Sequence, residues 1–85
     1  MKSGAMIETT VTDRWFQAYE DLRTTGRVTQ RGVCRDLGVD RRNFAQQAAD
    51  HSRRILRVEW LSYLVLNHGV SADWLLTGRG WPFGQ

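Results

Sequence analysis

The sequence predicts an all-α fold, a compact domain of five short helices, and three observations carry that prediction. Apolar residues recur three and four positions apart along most of the chain. Capping residues and stop glycines divide that pattern into short segments. Strand-like alternation and the Asn-Gly or Asp-Gly hairpin signals are absent.

Each helix has its own grounds. Residues 1–11 lack a helical period and carry Gly4 among small polar residues, so they read as a flexible N-terminal arm. Thr12 is the expected N-cap of helix one, with Asp13 in its first turn; Trp15, Tyr19 and Leu22 follow at helical spacing until Gly26. Thr29 caps helix two, in which Val33 and Leu37 lie four apart and Gly38 can leave through a left-handed turn. Asp40 caps helix three, at about residues 41–49, with Phe44 and Ala48 on its inward side. The segment 50–57 has no clean period and reads as a basic loop. Val58 opens helix four, marked by Leu61, Leu64 and Val65 and ending near His68 and Gly69. Ser71 caps helix five, which runs through Trp74, Leu75 and Leu76 to Gly78, and residues 81–85 form a tail.

At 85 residues the chain suits one small domain. Such a domain buries only about 60 to 65% of its unfolded surface, so a second copy would help it. Apolar residues make up 41% and charged ones 25%, the balance of a globular protein rather than a disordered tail. No apolar run approaches the roughly 20 residues of a membrane span, and no signal peptide is visible, so a cytoplasmic location is expected. The single cysteine, Cys34, cannot form an internal disulfide and reads as a small core side chain beside Val33. His51 and His68 have no companion ligands at metal spacing and read as surface residues; no metal or cofactor is expected. No phosphate loop, carboxylate pair or nucleophile set appears, which argues against an enzyme.

Charge is where the sequence departs from an ordinary helical domain. Residues 27–57 hold eight arginines against Asp36, Asp40 and Asp50 and so carry +5, while the rest, with four basic and six acidic residues, carries −2. Positive charge gathered in one third of a chain is the footprint of a surface for a polyanion, although a solvated arginine-rich face gives the same tally. Helical phase sharpens the first reading. With Phe44 at zero and about 100° per residue, Arg42 falls near 160° and Gln46 near 200°, with Asn43 and Ala45 at about ±100° and Arg41 in the first turn. That outward face offers guanidinium forks, amides and a methyl group. Arg can bond guanine O6 and N7, and Asn or Gln adenine N6 and N7.

The stretches "TQRGVCRDLGV" and "GVSADWLLTGRG" give a family resemblance. From about Trp15 to Gly80 the chain resembles the helix-turn-helix family of phage lambda-type repressors and Cro proteins, the first string matching that family's second helix and turn, the second its closing helix. The resemblance implies a five-helix lambda-repressor-like DNA-binding domain over residues 12–80 and a sequence-specific, repressor-like transcriptional regulator of phage, mobile-element or bacterial origin. It implies that Gln30, with its neighbour Arg31, meets a phosphate and buttresses the recognition helix; that Arg41, Arg42, Asn43, Ala45 and Gln46 enter the major groove of an operator; and that Arg53 and Arg54 follow the backbone. It also implies a homodimer, working on the nucleoid. Gly32 departs from the pattern, standing where a good helix former is usual at a cost of about 1 kcal/mol relative to Ala, as does Gln47, which replaces an apolar residue. Such repressors often continue into an effector or self-cleaving domain, whereas this chain is expected to be regulated through concentration, a partner or proteolysis.

Two questions stay open at this level. Seven aromatics besides Tyr19 and Phe44 are more than five short helices readily bury, so some are expected between subunits. Trp60 and the Trp81-Pro82-Phe83 tail are the candidates, against a tail folded back over Trp74. The rival function is a protein-interaction module, an antitoxin or antirepressor partner that keeps the fold but uses its basic face and aromatic tail to hold an acidic protein.

Overall fold

The structure, a computed structural model, describes residues 10–50 and 57–83. These residues form five helices, α1 (Val11–Thr24), α2 (Gln30–Leu37), α3 (Arg41–Ala49), α4 (Val58–His68) and α5 (Ala72–Thr77), and no strand. The all-α class therefore holds. α1 packs on α4 and α5, α4 also meets α5 and α2, and α2 carries α3.

Local chemistry explains most boundaries. The Thr29 hydroxyl accepts from the Gly32 N–H, the Asp40 carboxylate from the Arg42 N–H, and the Ser71 hydroxyl from the Trp74 N–H, each satisfying a donor that the helix start leaves free. α1 corrects one expectation: its N-cap is Thr10, not Thr12. Thr10 and Asp13 form a reciprocal capping box, the hydroxyl accepting from the Asp13 N–H and the carboxylate from the Thr10 N–H. Thr12 lies inside the helix and is buried. The capping box satisfies two donors at once, which a cap at Thr12 would not.

α1 supplies the core with a stripe of Trp15, Phe16, Ala18, Tyr19 and Leu22, against which Val33, Cys34, Phe44, Trp60, Leu64, Val70, Trp74 and Leu75 close. Trp15 is fully buried, and its indole N–H donates to the Trp60 carbonyl at 2.8 Å, so the largest apolar side chain brings its polar atom a partner. Here a second expectation is corrected. Trp60 belongs to this core, its ring 5.1 Å from that of Trp15, and is not free for a subunit contact. One chain buries Trp15, Phe16, Tyr19, Phe44 and Trp60 together because their rings meet edge to face, tilted or stacked instead of competing for separate space. Leu61, expected to face inward, packs half-buried at the edge. His68, expected at the surface, is half-buried with its imidazole edge-on to Tyr63; His51 lies outside the described residues.

A buried cation joins the two ends of the domain. Arg14, 8% exposed, donates from Nε to the Leu75 carbonyl at 2.9 Å and from Nη2 to the Leu76 carbonyl at 3.2 Å. These are C-terminal carbonyls of α5, acceptors that the helix leaves without amide partners. Gly78 ends α5 in the left-handed region at φ 85°, and a Cβ there would stand 3.3 Å from the Arg14 guanidinium. Glycine is required at that position for both reasons. The tail returns over the start of α5, where the Ser71 N–H donates to the Pro82 carbonyl at 2.7 Å. Its side chains do not follow: Trp81 is 73% exposed and Phe83 41%. The tail's backbone thus folds back, while its large rings stay outside.

Candidate nucleic-acid interface

The α2–α3 corner begins at Gly38, whose φ of 71° lies in the left-handed region that favours glycine. Its N–H donates to the Arg35 carbonyl and the Val39 N–H to the Cys34 carbonyl, so α2 is closed by two backbone bonds before the chain turns. Leu37 and Val39 pack half-buried against the core within this corner. Asp40 then caps α3, its Oδ1 3.1 Å from the Arg42 amide. Three residues therefore separate the end of one helix from the first residue of the next.

α3 is divided sharply. Phe44 is 1% exposed, with Ala48 half-buried behind it, whereas Arg41, Arg42, Asn43, Ala45 and Gln46 are all exposed. The structure thus leaves five of the expected residues exposed on α3, with Arg42 and Gln46 opposite Phe44. Gln30 and Arg31 open α2, the helix packed against α3; Gln30 is half-buried and Arg31 exposed. Arg53 and Arg54 lie outside the described residues. The two carboxylates within residues 27–49 are both engaged: Asp40 in its cap, and Asp36 with the Tyr63 hydroxyl at 2.8 Å and, more loosely, the Arg35 guanidinium at 3.7 Å.

Gly32 has a reason that composition alone hides. A Cβ at this position would stand 3.1 Å from the Thr29 hydroxyl that caps the helix, so a side chain there would press on the cap. Cys34 is buried, and that burial pushes its thiol up, with the Arg41 charge opposing; it is a core side chain held as the thiol rather than a thiolate.

Another concave surface lies between α1 and Ala48, lined by Asp13, Phe16, Gln17, Tyr19 and Glu20. Its carboxylates are taken: Asp13 belongs to the capping box, and Glu20 receives hydrogen bonds from Arg23, which hold it below the usual carboxylate range. Among the described residues no cluster of His, Cys, Asp and Glu could hold a metal ion, and no helix is long and apolar enough to cross a membrane.

Two polar features have no local sequence signal, the Arg14 clamp and the Tyr63–Asp36 bond. The second has a titration signature. Burial, then the hydrogen bond to Asp36 and its charge, push the Tyr63 phenol up to about 12 from an ordinary 10.0, with Arg35 opposing. The folded state holds this proton more tightly than the unfolded chain does. Its contribution to stability is therefore complete below pH 10 and is lost as pH rises through about 12. Denaturant midpoints measured across that interval should fall more steeply for the wild type than for Tyr63→Phe; parallel declines would show that Tyr63 is not the group responsible.

No family model matches the chain, and neither a curated protein nor a solved structure matches it.

Proposed function

We propose that the chain is a sequence-specific DNA-binding transcriptional regulator, repressor-like in action, that places α3 in the major groove of an operator. The observation that carries the proposal is the division of α3: Phe44 held in the core, and Arg41, Arg42, Asn43, Ala45 and Gln46 left exposed around it. Those side chains present the donors, acceptors and methyl group that match base edges, in a helix narrow enough for the groove. Gln30 and Arg31, at the start of α2, are placed for phosphate oxygens, where free backbone N–H groups of a helix start favour an anion. The +5 of residues 27–57 supplies the sequence-independent attraction. Such a regulator would act in the bacterial cytoplasm on the nucleoid.

A homodimer suits this mode, because two copies related by a two-fold axis would read half-sites about 34 to 36 Å apart. The exposed apolar side chains Leu66, Leu76, Trp81 and Phe83 belong to α4, α5 and the tail, and the proposed second copy would cover them. The same residues favour a second reading in which an antirepressor or toxin-like protein is the natural partner.

Alanine at two positions tests the division of labour. Arg42→Ala is expected to cost about 1–3 kcal/mol and to relax preference at one base pair, whereas Gln30→Ala weakens all duplexes alike. Competition gel shifts over a set of single-base operator variants measure both. A uniform loss from Arg42→Ala would refute its base-reading role.

A further inference from the structure

Asp36 stands one residue before the end of α2 and two before Gly38, where the backbone swings toward α3. Its carboxylate accepts from the Tyr63 hydroxyl of α4, 27 residues further along the chain. α4 belongs to the scaffold, packed on α1 and α5. The bond therefore ties the corner to the scaffold at the point from which Arg41 and Arg42 emerge. Apolar packing at that end of α2 is partial, resting on the half-buried Leu37 and Val39. α2 buries Val33 and Cys34 one turn earlier, Leu37 is only half-buried, and Phe44 is the one fully buried side chain of α3. The Tyr63 ring also meets the His68 imidazole edge-on, centroids 5.0 Å apart at 74°, a second contact that restrains the phenol. The Arg35 guanidinium is a weak competitor for Asp36, at 3.7 Å against 2.8 Å for the phenol.

We infer that Tyr63 is a positioning residue for α3: acting through Asp36, its hydroxyl fixes the corner and with it the place where Arg41 and Arg42 meet the duplex. The inference rests on the DNA-binding reading above and adds to it a residue outside the basic segment. A displaced corner leaves every arginine on the protein, so attraction to phosphate survives while the alignment that reads bases is lost.

The test compares a selected duplex with a scrambled one of equal length. Tyr63→Phe keeps the ring and removes the hydroxyl, Asp36→Asn keeps an oxygen that can accept, and Asp36→Leu removes it. The ratio of the two affinities cancels the charge that the Asp36 variants change. Tyr63→Phe should lower that ratio about three- to tenfold and Asp36→Asn should hold it within about twofold. Asp36→Leu should reproduce the loss, with nothing added when it is combined with Tyr63→Phe. Amide exchange gives a readout without DNA: Tyr63→Phe should speed exchange in residues 30–49 relative to α1. An unchanged ratio, an equal loss from both duplexes, or exchange accelerated evenly over the chain overturns the inference. A wild type that prefers no duplex instead brings down the DNA reading, and the role given to Tyr63 with it.

Discussion

Phe44→Ala is expected to destabilise the domain by about 3–5 kcal/mol, the usual cost of emptying a buried aromatic site. The ring is 1% exposed and lies 5.0 Å from Tyr19, 5.4 Å from Phe16, 5.8 Å from Trp60 and 6.0 Å from Trp15. Its removal leaves a void bordered by four other aromatics, which cannot close over it without giving up their own contacts. A domain of this size has a total stability of only about 5–15 kcal/mol, so the variant should be largely unfolded in mild urea. On the proposed DNA binding the effect should be larger than the stability figure suggests, since Phe44 is the one buried side chain of α3. Phe44→Leu fills most of the site; it should keep the fold and lose part of the duplex preference. Urea midpoints followed by tryptophan fluorescence check the first expectation, and a cost below about 1 kcal/mol would show that α3 is anchored by something else.

The second large effect is on binding. A dimer that meets about six to ten phosphates should lose roughly 10³- to 10⁵-fold in affinity between 50 and 200 mM salt, because each neutralised phosphate releases condensed counterions. The supporting charges are in place: Arg27, Arg31, Arg35, Arg41, Arg42 and Arg57 are all exposed, while Asp36 and Asp40 are occupied within the protein. Titrations at four or five salt concentrations give the slope directly. A slope near zero would mean that the basic face is solvated surface and not a binding surface.

Features fixed by neighbours in sequence were legible, and features fixed across the fold were not. The caps at Thr29, Asp40 and Ser71 and the stop glycines could be read because each signal lies within one helical turn of what it controls. The exposed face of α3 was legible for the same reason, one aromatic setting the phase of a whole helix. Thr10 and Asp13 have the spacing of a capping box, yet no apolar period precedes Trp15 to mark the helix start so early. On α4 the apolar residues Val58, Trp60, Leu61, Leu64, Val65 and Leu66 run around most of the circumference, so periodicity could not choose Trp60 over Leu61 as the inward residue. Arg14 and Tyr63 find their partners 61 and 27 residues away, and no local pattern announces a buried guanidinium on helix-end carbonyls or a phenol on a carboxylate. The bases the site would read are equally beyond local pattern, since two guanidiniums and two amides on one face suit several base-pair orders.

Selection from a pool of random duplexes at moderate salt tests the central claim most directly, since it examines binding, sequence preference and symmetry in one measurement. The account predicts recovery of a palindromic or near-palindromic site whose half-sites lie about one helical turn apart. Recovery of no preferred sequence, with the protein retaining its helical fold, would contradict it and turn attention to a protein partner for the basic face.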